Sequence, residues 1–176
     1  MKTLSLWQPW ATAIAVGSKR IETRGWATSY RGPLLIHAAK RLVKDELIYM
    51  QSCWNWCAAL APIGMRMGDG QYLWDLLPFG ALIARCNLVD CVPTGSLTGD
   101  VLDVRRYADE PPIDLYSWTE RMMGDFSLGR FAWMLEDVKP LLSFLHIGRQ
   151  GLFEVSDEVV EQLELDTNFQ DPSPKT

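Results

Sequence analysis

The first 26 residues constrain the fold more than any other segment, because a strand, a helix and a charged turn follow one another without a spacer. Leu4–Leu6 forms a short apolar strand. Pro9 occupies the first helical position, where a missing N–H costs nothing. An apolar helical stripe follows at Trp10, Ala13 and Ile14. Gly17 stands where a left-handed residue ends a helix, so this unit is predicted to fold locally.

Three ionisable residues follow the end of this helix. They are Lys19, Glu22 and Arg24, in a segment that also contains tryptophans. A plain turn between a helix and a strand needs only glycine and serine, so this concentration of charge suggests a ligand site. The alternative is a surface cluster of ion pairs that braces the turn and contributes little to stability.

Length and composition indicate a single globular domain. The chain has 176 residues, of which 48% are hydrophobic and 22% are charged, which is typical of a protein with a sizeable buried core. Eight tryptophans are more than this length usually carries. The sequence has no apolar run long enough for a transmembrane helix and no apolar signal region at its start. We therefore expect no membrane association and a cytoplasmic location.

Charge is distributed unevenly along the chain. The formal net charge is −5, which argues against a protein that coats nucleic acid without selectivity. Residues 1–44 nevertheless carry eight lysines and arginines against one carboxylate, whereas residues 150–176 carry one lysine against seven carboxylates. This pattern is expected either from a basic surface that faces an anion, or from two solvated faces of opposite sign.

The metal-binding residue types are sparse. Four cysteines occur as Cys53, Cys57, Cys86 and Cys91, without the spacing of a zinc ribbon, and the chain has only two histidines. We expect reduced thiols that are mostly buried, no metal site and no cofactor.

Strands of unequal length and a few helices alternate without a regular β–α–β repeat. Strands are predicted at 34–39, 78–92, 131–142 and 151–155, and helices at 44–60 and 157–165. This order favours an α+β fold, a small mixed β-barrel with helices packed around it, over a doubly wound sheet. We assign one domain to residues 1–165, with a polar insertion at about 94–125 and a disordered tail at 166–176.

Several of these pieces together resemble the activating signal cointegrator homology (ASCH) family, in the PUA-like superfamily of small β-barrels. The motif begins with Ser5 and Gln8-Pro9-Trp10-Ala11 and continues through Gly17, Lys19, Glu22, Arg24 and Trp26. Further pieces are Arg31-Gly32-Pro33-Leu34 with Ile36-His37, Gly80–Ala84 with Val89-Asp90-Cys91, Gly129-Arg130 with Trp133, and Gly148 with Gly151-Leu152. The resemblance implies a pocket beside the first helix and a role connected with RNA, DNA or nucleosides.

The resemblance also bears on catalysis. Relatives include a bacterial amidohydrolase that deacylates N4-acetylcytidine, a proposed ribonuclease and a coactivator domain reported to bind nucleic acid. The amidohydrolase uses a lysine, a threonine three residues later and a distant glutamate. Lys19 matches the lysine, but Glu22 stands at the threonine position, and Thr23 would point to the opposite face of an extended segment. A carboxylate there would hold the lysine charged or activate water, and does not replace a hydroxyl nucleophile.

Four further side chains are candidates for ligand contact. Together with Lys19, Arg24 could hold a phosphate or a base carbonyl, and Arg130 could contact a phosphate or support the site from behind. Trp10, or its neighbour Trp7, could stack on a base if it is exposed. Gln8 could read a base edge, or it could contact the N-terminus of the helix. His37, inside an apolar strand, is interpreted as a core or wall histidine.

Three functions remain open on these residues. The first is recognition of RNA, of single-stranded nucleic acid or of a modified nucleoside by a pocket edged with Lys19, Glu22 and Arg24. The second is metal-independent hydrolysis of an amide on a modified pyrimidine nucleoside, with Lys19 stabilising an oxyanion and Glu22 activating water. The third is an adaptor that docks a protein partner through exposed tryptophans and the acidic tail.

Overall fold

The computed structural model describes residues 1–68, 70–97 and 118–168. Its centre is one sheet of six strands in the order β2-β5-β4-β3-β1-β6. The strands are β1 Lys2–Leu6, β2 Ile21–Arg24, β3 Gly32–Ala38, β4 Ala81–Pro93, β5 Phe131–Leu145 and β6 Leu152–Glu154. Only β1 and β3 pair in parallel, and the other neighbours are antiparallel, so the sheet is mixed.

Six α-helices of the described chain surround this sheet. They are α1 Trp10–Ala15, α2 Lys44–Gln51, α3 Trp54–Ala59, α4 Leu73–Leu76, α5 Trp118–Met122 and α6 Asp157–Asn168. The prediction of a single helix over residues 44–60 is wrong in one respect. Ser52 ends α2, and Cys53 has an extended backbone with φ −95° and ψ 123°, so the segment is two helices. The apolar spacing continues across this break, which is why periodicity did not reveal it.

Irregular pairing curves the sheet into a half-barrel. The register between β4 and β5 shifts at three places, and that between β3 and β4 shifts beside His37. Asp137 lies at one of the β5 irregularities with a φ of 50°, and its carboxylate accepts a hydrogen bond from Asn87 Nδ2 at 2.7 Å. Bulges increase local twist and bend a strand, so these long strands can wrap around the core.

The core has layers because successive strand residues face opposite sides of the sheet. Leu34 and Ile36 of β3 face the inner core with Trp133, whereas Leu35 between them packs with Phe153 under α6. Helices α2, α3 and α4 form a third layer. This layer packs against α1 at Ala13. The short helix α1 therefore lies between the half-barrel and the helical layer.

Most of the predicted elements are confirmed. The apolar strand at the start, the strands at 34–39, 78–92, 131–142 and 151–155, and the last helix all appear, with boundaries that differ by a few residues. Pro9 is the N-cap of α1, not its first residue. Within the predicted insertion, Thr94–Ser96 is a short 3₁₀ turn, and residues 98–117 lie outside the described chain. Residues 169–176 of the predicted tail also lie outside it, and α6 reaches Asn168.

Gly17 ends α1 in the left-handed conformation that the sequence predicts. Its φ is 77°, and its N–H donates to the carbonyl of Ile14 at 2.8 Å. The next turn places the Lys19 N–H against the carbonyl of Ala13 at 3.0 Å, which ties the charged turn to the helix.

We expect Gly17→Ala to lower the free energy of unfolding by about 1 kcal/mol, because a side chain disfavours this φ although the space for a Cβ is open. Urea denaturation measures the change. Gly25→Ala is the matched control, since a Cβ there also meets open space and its φ is not in the left-handed region. Equal effects of the two substitutions would contradict the assignment of Gly17 as the helix stop.

Candidate functional site

Lys19 is completely buried, with an exposed fraction of 0%. Its Nζ donates to the carbonyl of Ile21 and lies 3.7 Å from Glu22 Oε2 and 3.8 Å from Glu120 Oε1. A buried ammonium needs such partners because losing water costs several kcal/mol. The charged turn is therefore an internal network and not the solvated surface cluster that the sequence left open.

Glu120 of α5 is the member of this network that the sequence did not reveal. It is buried, and its two oxygens accept the N–H groups of Arg20 at 2.9 Å and Ile21 at 3.0 Å. Burial raises the pKa of Glu120 above its usual range, while the charge of Lys19 and the two backbone N–H groups act in the opposite direction. Glu120 therefore clamps the start of β2 from a helix about a hundred residues further along the chain.

Glu22 carries the network to the surface of a cleft. It is buried, and its Oε1 lies 3.5 Å from Arg24 Nη1, so a cation stands on each side of its carboxylate. Arg130 lies nearby, donates from Nη2 to the carbonyl of Thr23 at 3.3 Å, and pairs with Asp125 at 3.2 Å. The structure thus brings together four of the sequence candidates, Lys19, Glu22, Arg24 and Arg130.

The cleft is open and has a volume of about 1680 Å³. Glu22, Arg24 and Arg130 line it, whereas Lys19 lies behind this wall. Two partly exposed tryptophans also line it, Trp7 at 48% and Trp26 at 37% exposure. The Arg41 guanidinium covers one face of Trp7 at 3.6 Å from the ring centre. Trp26 packs edge-on against the buried Trp133 with ring centres 4.6 Å apart, which fixes its orientation.

Gln8 and Trp10 lie beside this cleft in different ways. Gln8 is buried, donates from Nε2 to the carbonyl of Pro78 at 2.6 Å and accepts the N–H of Thr12 at 3.1 Å. Its contact with the helix N-terminus is thus present, and both ends of its amide are occupied within the protein. Trp10 lines the cleft and packs edge-on against Trp56 at 5.6 Å.

His37 is a buried wall residue of the same cleft, as its position in an apolar strand predicts. Its Nδ1 lies 2.9 Å from Ser5 Oγ and its Nε2 lies 2.9 Å from the carbonyl of His146. Burial lowers the pKa of His37; the hydrogen bond to the His146 carbonyl opposes that shift, and the charge of His146 adds to it. Ser5 and His37 are direct register partners on β1 and β3, a pairing that sequence spacing does not show.

Metal-ligand chemistry is sparse in the described residues. No group of three or more histidine, cysteine, aspartate or glutamate side chains there is arranged to hold a metal ion. None of the four cysteines, all of which lie in the described residues, forms a disulfide, and burial raises the pKa of the Cys86 thiol to about 12. Among the helices in the described ranges, none has the length and apolar character to cross a bilayer.

This wall offers positive and negative groups at fixed positions. Arg24 and Arg130 present guanidinium donors that suit phosphate or carbonyl oxygens, and Glu22 presents an acceptor that suits an amino group. The Lys19 ammonium lies between the Glu22 and Glu120 carboxylates, so the charged group behind the wall is balanced inside the protein.

Comparisons with known proteins identify the family and the fold. The model of the ASCH domain family matches residues 4–123. Activating signal cointegrator 1 of Homo sapiens is 29% identical over 126 residues, and that of Mus musculus is 28% identical over 126 residues. These matches cover 71% of this chain, which spans about a fifth (20%) of the length of those proteins. The crystal structure of ASCH from Zymomonas mobilis superposes with a TM-score of 0.50 over 93% of both chains, at 16% identity, which supports the fold alone.

We expect Lys19→Met to lower the free energy of unfolding by about 3–5 kcal/mol, because Glu22 and Glu120 would remain buried without their shared cation. Chemical denaturation followed by tryptophan fluorescence measures the loss. Lys139→Met, at an exposed lysine of β5, is the control and should change the value by less than about 0.5 kcal/mol. A Lys19→Met protein as stable as the control would mean that the network does not hold β2.

Proposed function

Because the chain belongs to the ASCH domain family, whose model matches more than half of it, we propose that its cleft binds single-stranded RNA. The family is broadly associated with RNA binding. The observation that carries the proposal is the cleft itself, in which two partly exposed tryptophans accompany a wall formed by Glu22, Arg24 and Arg130.

The size of the cleft favours a strand over a single nucleoside. Pockets for small molecules measure roughly 300–1,000 Å³. The cleft has about 1680 Å³ and is open to solvent, so a lone nucleoside would leave most of it unfilled. A modified nucleoside is then best understood as one residue of a longer strand.

The aromatic side chains supply sequence-tolerant contacts. Bases stack on exposed aromatic rings with a gain of about 1–3 kcal/mol each. Trp26 is held by Trp133 and Trp7 by Arg41, so neither ring needs to be ordered upon binding. A rigid stacking surface lowers the entropic cost of association.

The charges that line the cleft suit a short contact with the phosphate backbone. Lining cations are Arg24, Lys40, Arg130 and Arg149. Four cations correspond to a few phosphates, whereas the net charge of −5 for the whole chain disfavours extended electrostatic binding. We therefore expect moderate affinity with a clear dependence on salt.

We expect the plot of log affinity against log salt concentration to have a slope of about −2 to −3 for a short fluorescent oligoribonucleotide, since each neutralised phosphate of a single strand contributes about −0.7. Arg24→Gln should make the slope shallower by about 0.7. Fluorescence anisotropy from 50 to 300 mM salt measures both.

Arg66→Gln is the charge-matched control, because Arg66 is exposed and does not line this cleft. It should leave the slope unchanged. A slope near zero in the unmodified chain would count against RNA binding, and equal effects of the two substitutions would move the binding surface away from the cleft.

A second candidate, amide hydrolysis on a modified cytidine, is favoured by one observation. Glu22 lines the cleft and is backed by Lys19 and Glu120, so a water held by Glu22 would face a bound base. Lys19 is enclosed by three oxygen partners, which supports a role in positioning Glu22 more than direct contact with an oxyanion.

If the chain is such a hydrolase, it should release cytidine from N4-acetylcytidine without added metal, and Glu22→Gln should slow the release by about 10²–10⁴-fold, the usual contribution of a general base. Chromatography with mass detection measures the product. Glu46→Gln, at an exposed carboxylate of α2, is the control. Absence of release by the unmodified chain would leave recognition as the function.

A further inference from the structure

The hydrogen bonds around His37 fix the direction in which Ser5 can interact. The carbonyl of His146 can only accept, so Nε2 of His37 carries the proton of the bond between them, which measures 2.9 Å. A neutral imidazole has a single N–H, and Nδ1 must then be an acceptor. The hydroxyl of Ser5, 2.9 Å from Nδ1, consequently donates its only proton to the ring.

Burial supports this assignment. It lowers the pKa of His37, which keeps the ring neutral at physiological pH. Ser5 lines the cleft and is partly exposed, and with its proton committed to His37 its oxygen has only lone pairs to offer a ligand.

The backbone of Gly148 packs closely against this pair. A Cβ at position 148 would lie 2.7 Å from Ser5 Oγ and 2.6 Å from His37 Nδ1, so only glycine fits. Gly148 lines the same cleft. The hydroxyl oxygen of Ser5 is therefore held in a closely packed part of the cleft wall.

We infer that Ser5 Oγ is a selective acceptor site that takes an N–H or O–H donor of the bound strand, at a place in the cleft separate from the Lys19 network. The inference rests on the proposed binding of single-stranded RNA in this cleft. Donors with the required chemistry include the exocyclic amine of a base such as cytosine and the ribose 2′-hydroxyl.

Four labelled oligonucleotides separate these two sources: oligocytidylate and oligouridylate, each with ribose and with deoxyribose. If a base amine is the donor, both cytosine strands bind more tightly, because uracil has an acceptor at the position of that amine. If the 2′-hydroxyl is the donor, both ribose strands bind more tightly. We expect a preference of about five- to tenfold along one of these axes, measured by fluorescence anisotropy.

Ser5→Ala should remove that preference while the disfavoured strands bind as before. Ser18→Ala is the matched control, since it also removes a donating serine hydroxyl, in this case one bonded to the carbonyl of Ala59, and Ser18 lies outside the cleft lining. If Ser5→Ala lowers the melting temperature, Ser5→Cys provides the same test, because a thiol still donates to His37 but accepts weakly.

The outcomes distinguish the inference from the proposed function. A preference that survives both Ser5 substitutions, or no preference in the unmodified chain, would overturn the acceptor site and leave RNA binding intact. Failure of the unmodified chain to bind any of the four strands would overturn both.

Discussion

The architecture around the cleft depends on the burial of one ammonium group. Lys19 has no contact with water, so the fold must surround it with oxygen atoms, and it does so from β2 and from α5. Glu120 pairs with the Lys19 ammonium and also accepts the N–H groups of Arg20 and Ile21, where β2 begins. The same arrangement leaves Glu22 with one oxygen toward Lys19 and the other toward Arg24, at the cleft surface. A structural requirement and the chemistry of the candidate site are thus met by the same charges.

Local signals in the sequence predicted the fold well where one segment contains its own stop. Gly17 ends α1 at the predicted place. The continuous apolar run in β3 matches a strand that is buried on both faces. The break between α2 and α3 had no such signal, because Ser52 and Cys53 are compatible with a helix and the apolar spacing continues through them. There tertiary packing overrides helix propensity. Helix α2 packs against α4 and helix α3 packs against α5, so each short helix is positioned by a different neighbour.

The candidate site was predictable only as far as its members are close in sequence. Lys19, Glu22 and Arg24 lie within one turn and one strand, so their association follows from spacing. Glu120 and Ser5–His37 depend on which distant segments become neighbours, and a single sequence does not carry that information. Gln8 shows both cases, because its amide accepts from the nearby Thr12 N–H of α1 and donates to the carbonyl of Pro78, 70 residues away in sequence.

Selectivity in such a cleft has to come from placed hydrogen bonds and not from charge. In the proposed RNA complex, phosphate contacts would supply affinity without sequence information, and they would be limited to the four lining cations on a chain of net charge −5. Stacking on Trp7 and Trp26 would be equally tolerant of sequence. What remains is the set of acceptors whose direction the fold determines: Glu22, between two cations, and Ser5, whose proton is committed to His37. Glu22 lies on the face of the sheet that carries its register partner Trp133, whereas Ser5 lies on the other face of β1 from Leu4, which packs in the same core as Trp133. The two acceptors therefore come from different faces of the sheet, and in the proposed complex they would contact different nucleotides of an extended strand.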